Sequence, residues 1–325
     1  MASFAPLFPL LVPSFSSKGN LLLPQPDGKY ISDNYSLLQK LDLRVSKSYL
    51  VSAYDIYYGF MPQNPNDMPE TEYLFIDSGG YETNDSFDLS ERNKFNYQVM
   101  PWDKDKMKEV YFNVIACPKF QNAVTILSIH DTIGPFEQQL AEALSLSTEF
   151  PNAVINFIIK ICFPFEHLLD EIDQAKTSLQ SIQIIGITEK ELGYTVRDRL
   201  QNLIQIKRRL SSCGWNGSIH IFGGLEPNLV KLYYLAGADI FDGLSWQRIF
   251  YRNNASLYNP ESFYISLPEH ENKFLMMVDN LSILQDVSNN LSAIFDMRTT
   301  KMDLLDSYLA SKDITIKELL NVMEV

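Results

Sequence analysis

Cysteine is scarce: Cys117, Cys162 and Cys213 are the three in 325 residues. They are widely spaced and form no Cys-x-x-Cys pair, so the chain offers neither a zinc site nor a disulfide framework. Cys117 and Cys162 lie in apolar runs and read as buried, inert thiols. Long apolar runs are missing too, with none reaching the roughly 18 residues of a membrane span. The apolar N-terminal stretch is interrupted by Pro6, Pro9 and Pro13. It has no basic lead, so it does not read as a signal peptide, and cytoplasm is the expected location. Positive charge is in deficit: 27 Lys and Arg stand against 40 Asp and Glu, a net charge of −13. That excludes a protein whose whole surface grips phosphates, though not one with a local basic face. The densest basic stretch, Arg197, Arg199, Lys207, Arg208 and Arg209, reads as a solvated helix face. No G-x-G-x-x-G follows a strand and there is no P-loop, so the common nucleotide cradles are absent.

What is present is apolar: 46% of residues are hydrophobic, enough for one large core or two ordinary domains. Residues 49–58 read as a strand leading into a loop, and 61–70, with three prolines, as a loop. Strands are predicted at 73–77, 124–129, 153–161, 182–187, 218–222 and 238–241. Helical periodicity occupies 102–114, 136–147, 166–179, 194–211 and 226–236. Apolar strands alternating with amphipathic helices predict a parallel sheet with helices outside. Six or more such units in about 250 residues favour an α/β fold of the irregular TIM (β/α)8 barrel type over an open sheet. Residues 1–273 are expected to form the barrel. Residues 274–325 are expected to form a C-terminal helical segment packed on it.

Three strands end in a carboxylate. Asp77 closes Tyr73-Leu-Phe-Ile-Asp77 and is followed by Ser78, Gly79, Gly80 and Tyr81. Asp131 follows His130, and Asp242 follows Ile240-Phe241 and precedes Gly243. Each alone has an ordinary structural reading as a cap, a turn former or an ion-pair partner. His130 reads as a packed, hydrogen-bonded histidine. Asp239, three residues before Asp242, is expected to point elsewhere, since strand residues alternate in direction. Carboxylates delivered by several strand ends are how a parallel barrel assembles an active site. Two of them across one pocket suit displacement at a sugar anomeric carbon, one as nucleophile and one moving a proton. Such a pair should also separate in pKa.

These segments resemble the tRNA-guanine transglycosylase family. Asp77-Ser78-Gly79-Gly80-Tyr81 looks like its signature, and Ile240-Phe241-Asp242 followed by Arg248 resembles its nucleophile segment. Between them, Ile221-Phe222-Gly223-Gly224-Leu225-Glu226-Pro227 and Leu235-Ala236-Gly237-Ala238-Asp239 match the family's glycine turn, helix and strand. Val12-Pro13-Ser14 through Lys18-Gly19 resembles its N-terminal segment, and Asp279-Asn280-Leu281 its late His-Asn-Leu. The resemblance runs in order over residues 10–295 and implies an irregular TIM barrel. It implies that Asp242 attacks C1′ of the target nucleoside and that Asp77 is the general acid/base. It further implies that Asp131 and Ser78 read the base edge, and that Gly186 and Ile187 offer main-chain groups. Tyr81 and Phe222 would sandwich the ring. Gly243 and Arg248 would belong to the nucleophile loop.

The departures narrow the reading. Ser52 and Asp55 stand in the segment Val51-Ser52-Ala53-Tyr54-Asp55-Ile56 where the family has Asn-Thr-Tyr-His, and Glu82 replaces its Gln. Ser245-Trp246-Gln247-Arg248 replaces its Pro-Thr-Arg. The family's cysteine-rich zinc module, due near 263–275, is missing, since no Cys follows Cys213. No structural zinc or other metal and no cofactor is therefore expected. The compact, acidic chain looks more like the divergent branch that inserts 7-deazaguanine bases into DNA than like a tRNA enzyme. The expected partners are a nucleic acid (DNA favoured over tRNA), a 7-deazaguanine base and a protein supplying basic surface, with no membrane. Two other readings compete: a non-catalytic partner subunit of a transglycosylase complex, and a nucleoside N-glycoside hydrolase.

Overall fold

The computed structural model describes residues 9–19, 22–24, 30–41, 45, 47–84, 98–130, 134–161, 165–252, 255–258, 269–310 and 315–320. The chain opens with β1 (Leu10–Phe15), β2 (Leu22–Pro24), β3 (Tyr30–Ser32) and α1 (Asp33–Lys40). Next come β4 (Ser48–Ser52), α2 (Ala53–Tyr57), β5 (Tyr73–Asp77), α3 (Gly80–Thr83) and α4 (Lys104–Ile115). Then follow β6 (Val124–Ser128), α5 (Phe136–Glu149), β7 (Val154–Ile159), α6 (Glu166–Gln174), α7 (Lys176–Leu179) and β8 (Ile184–Thr188). After α8 (Val196–Ser212) come β9 (Ser218–Phe222), α9 (Pro227–Leu235), β10 (Ile240–Gly243) and α10 (Ser245–Arg248). The chain continues through β11 (Ile249–Arg252), β12 (Ala255–Tyr258), α11 (Glu269–Ala293), α12 (Arg298–Ala310) and α13 (Ile316–Leu320).

Eight strands close into a barrel in the order β1-β10-β9-β8-β7-β6-β5-β4, with helices around it and a helical C-terminal segment. Every barrel register that the described pairs define is parallel, as in Ser52 opposite Asp77 and Ile240 opposite His220. The strands are short β-branched runs such as Ile184-Ile-Gly-Ile-Thr188, buried along most of their length. The helices begin where side chains satisfy open N–H groups. Thr195 and Asp198 form a reciprocal capping box on α8, and Asp103 accepts from Lys106 N–H on α4. Glu226 caps α9, with Pro227 in the first turn, where its missing N–H costs nothing. Along α8, Leu200, Leu203, Ile204, Ile206 and Leu210 are buried. Each contributes about 1.5–3 kcal/mol by leaving water.

The chain divides into two compact units. One comprises Met1–Val12, Gly134–Ala141 and Phe157–Val325; the other comprises Pro13–Ile133 and Glu142–Asn156. The first holds β8, β9, β10, the antiparallel β11–β12 hairpin and α6 through α13. The second holds β4, β5, β6 and α1 through α4.

Several boundaries differ from the sequence reading. Residues 49–58, expected to be a strand leading into a loop, are a strand as far as Ser52 and then α2 in place of the loop, because the Ser52 side chain accepts from Asp55 N–H and starts a helix. The single helix expected over 166–179 is two, parted at Ala175. β1 and the β11–β12 hairpin add strands the periodicity did not indicate. Cys117 is buried, as expected, whereas Cys162 lies outside the described residues. Among the described residues, no helix is long and apolar enough to cross a membrane.

Candidate active site

In the first unit, the chemistry gathers at the end of β10. Asp242 is 6% exposed, and its Oδ1 accepts from Gly223 N–H at 3.2 Å. His220, fully buried, places Nε2 3.2 Å from the same oxygen. The His220 ring stacks on Phe222, with centroids 4.1 Å apart and planes at 29°. Alternation along β9 puts residues 220 and 222 on one face, and the β9–β10 register sets His220 opposite Ile240. Gly243 has φ +158°, and a Cβ there would meet Leu225 Cβ at 3.2 Å and the Gly223 carbonyl carbon at 3.3 Å. A side chain at 243 would thus crowd the turn that donates to the carboxylate.

Behind this segment, Asn280 of α11 is fully buried. Its Nδ2 donates to Trp246 O at 2.8 Å and Ile249 O at 2.7 Å, and its Oδ1 accepts from Tyr251 N–H at 2.9 Å. Tyr251 Oη donates to Leu225 O at 3.1 Å and accepts from Ser245 Oγ at 2.7 Å. One asparagine thereby fixes the stretch that follows Asp242, with Arg248 part-buried at the end of α10. Gly186 and Ile187 lie inside β8, buried, in register with His220 and Ile221. Asp239 sits at the opposite end of β10. Its Oδ2 accepts from Ile219 N–H and its Oδ1 pairs with Arg298, so it does point away from the Asp242 group.

In the second unit, Asp77 is part-buried at the end of β5. Its Oδ2 accepts from Gly79 N–H at 3.3 Å. Gly79 has φ +93°, and a Cβ there would come within 2.7 Å of Tyr54 Cβ, so the turn needs glycine for both shape and space. Ser78 is fully buried, and its carbonyl accepts from Trp102 Nε1–H at 2.9 Å. Trp102 lies edge-on to Tyr54 and Tyr57. A cavity of about 370 Å³ opens beside this turn, lined by Gly80, Thr83, Val99, Met100, Pro101, Trp102 and His130. That volume is in the range of small-ligand pockets. Tyr81 follows on α3 with Lys18 Nζ 4.9 Å from its ring centroid. Asp131 lies outside the described residues.

The second unit also contains a buried polar cluster. Ser17 donates to Asp55 from its N–H at 2.7 Å and from its hydroxyl, and Ser16 Oγ donates to Glu82 Oε1. Burial pushes Asp55 up to about 7, against the pull of the Ser17 bonds. Burial, then the charges of Asp55 and Asp77, hold Glu82 well above the usual carboxylate range. Tyr111 is likewise raised, by burial first and by Asp77.

His220 was not singled out from sequence, although a histidine two residues before Phe222 in an apolar strand carried the signal. Asp55 and Glu82 were noted only as departures from a family pattern; nothing local announced that they share one cluster. Among the described residues, no group of three or more His, Cys, Asp or Glu is placed to hold a metal ion. No protein-family model and no curated protein matches the chain.

Proposed function

We propose that the chain is a nucleobase transglycosylase of the guanine-exchanging type. It replaces guanine in a nucleic acid, DNA before tRNA, with a 7-deazaguanine base. The observation that carries the reading is Asp242, a nearly buried carboxylate at a strand end. Its Oδ1 accepts from Gly223 N–H and has His220 Nε2 3.2 Å away, and a glycine follows it. A carboxylate held in one orientation and largely stripped of water is prepared for attack at an anomeric carbon. Asp242 forms a bond to C1′ as the C1′–N9 bond breaks, and Asp77 gives its proton to the departing guanine. Asp77 then takes a proton from the incoming base, whose nitrogen attacks C1′ and releases Asp242. Supporting this role, the turn after Asp77 is fixed by Trp102 and Gly79 and lies beside a cavity large enough for a purine. The family's zinc has no place here, since its cysteine ligands are not in the chain. The reading sets the reaction in the cytoplasm.

One observation favours a second reading, a nucleoside N-glycoside hydrolase. The basic stretch on α8 is largely spent within the fold: Arg199 pairs with Glu189, Arg208 with Asp303 and Asp306, and Arg209 with Asp173. Lys207 is part-buried, with its Nζ 5.6 Å from the Trp215 ring centroid. Little of that face is left for phosphates, so a polymer substrate calls for basic surface from a partner protein. Incubation with labelled guanine and duplex DNA, tRNA or free nucleoside separates the readings. Label entering a polymer, and lost in Asp242→Asn, supports base exchange. Release of free base from nucleoside without incorporation supports hydrolysis. Exchange that survives Asp242→Asn contradicts both.

A further inference from the structure

Three consecutive residues after β1 fasten the helical turns that follow β4 and β5. Ser17 donates twice to Asp55 on α2, and Ser16 donates to Glu82 on α3. Lys18, fully buried, donates from Nζ to Tyr81 O at 3.1 Å and to Asn84 O. Ser52 lies opposite Asp77 in the β4–β5 register and accepts from Asp55 N–H at 3.1 Å. Ser16, Ser17, Ser52, Asp55 and Glu82 are each no more than 4% exposed. Glu82 closes the run Asp77-Ser78-Gly79-Gly80-Tyr81-Glu82 and is joined to Asp77 by the turn itself.

The charged groups facing Glu82 are Asp55 from α2, Asp77 from β5 and Lys18 from the segment after β1. Lys18 directs its ammonium to two carbonyls. Asp55 and Glu82 meet serine hydroxyls, which can donate to a carboxylate or accept from a carboxylic acid. Two carboxylates in so dry a cluster are costly together, and a proton on one of them removes the cost. Granted the transglycosylase reading, on which this step rests, we infer that Glu82 is a positioning residue for Asp77. As a neutral carboxylic acid bonded to Ser16, it pins the Asp77 turn and keeps a second negative charge away from the acid/base. The upward displacement of Glu82 by burial, Asp55 and Asp77 agrees with this protonation. The coupling is reciprocal: an ionised Glu82 raises the proton affinity of Asp77, which then yields its proton to the departing guanine less readily.

The test compares pH profiles of base exchange for wild type, Glu82→Gln and Glu82→Ala, alongside a ¹³C-carboxyl NMR titration of Glu82. Glutamine, neutral and equal in size, should keep kcat within about threefold of wild type near neutral pH. It should also sustain activity at alkaline pH, where wild type declines as the cluster loses its proton. Alanine should lower kcat by about 10- to 100-fold with KM changed less than about threefold. Equal behaviour of the two variants, or an alkaline limb unchanged in Glu82→Gln, overturns the inference. If Glu82→Ala does not fold, the alkaline limb of Glu82→Gln decides alone. The titration should find Glu82 protonated near neutral pH, with a midpoint that falls in Asp77→Asn. Should wild type exchange no base on any substrate, the transglycosylase reading fails. The titration then still judges the coupling, and a Glu82 midpoint indifferent to Asp77→Asn overturns it.

Discussion

Asp55 is a fully buried carboxylate whose donors come from Ser17, and its environment raises it from 3.8 to about 7. The linkage has a definite sign. A carboxyl raised on folding binds its proton more tightly in the folded chain. Its contribution to stability is therefore complete below the unfolded value and is lost as pH climbs through the folded one. The window runs from 3.8 to about 7. Asp55→Asn, which cannot ionise, should flatten the fall in thermal midpoint between about pH 4 and 7. It should leave the variant more stable than wild type at the alkaline end, by on the order of 1–3 kcal/mol. Thermal unfolding across that range checks it, and parallel curves for the two proteins would contradict it. From sequence alone, Asp55, Ser52 and Glu82 read as separate departures from a family pattern. Only the register of β4 on β5 and the course of Ser16-Ser17-Lys18 bring them together. That contact spans about 66 residues of chain, beyond the reach of a local pattern.

At the scale of elements, the hairpin after Asp242 is held by one side chain of α11. Removing it in Asn280→Ala leaves Trp246 O, Ile249 O and Tyr251 N–H without that partner in a buried setting. The expected loss is about 2–4 kcal/mol, read from urea unfolding. A loss below about 1 kcal/mol would show that the clamp carries no weight. The strands most open to sequence reading were those with uninterrupted apolar runs. β5 and β9 match their predicted spans, and β6, β7, β8 and β10 differ from theirs by a few residues at the ends. β1 was hidden by Pro13, which supplies no ladder N–H and makes a strand look broken. β11 and β12 were hidden because neither alternates cleanly and each is only four residues long. Of the candidate site, the positions of Asp77 and Asp242 at strand ends were legible, because a polar residue closing an apolar run is a local feature. His220 was not, because its meaning comes from Asp242 on the neighbouring strand.

At the scale of the whole molecule, a closed parallel barrel carries an acidic chain of net charge −13. Within the first unit, α12 is tied to the start of β10 by Arg298. Its guanidinium pairs with Asp239, donates to Tyr234 O and Ala238 O, and lies 4.2 Å from the Tyr234 ring centroid. Both members of the ion pair are largely buried, so Arg298→Ala leaves a poorly solvated carboxylate beneath the strand that carries Asp242. The expected cost is about 2–3 kcal/mol of global stability. Equilibrium unfolding that shifts by less than about 0.5 kcal/mol would refute the tie. The charge balance bears on function as well. With the α8 arginines engaged in ion pairs, exchange on duplex DNA should depend on added basic protein more than exchange on a small nucleoside does.

The central claim is that Asp242 becomes covalently glycosylated. The direct measurement is mass spectrometry of the protein after brief incubation with guanine-containing nucleic acid and acid quench, followed by peptide mapping. The account predicts a nucleic-acid adduct on the peptide bearing Asp242, discharged by added 7-deazaguanine base and absent in Asp242→Asn. An adduct on another residue, or base exchange with no adduct and undiminished by Asp242→Asn, would contradict it.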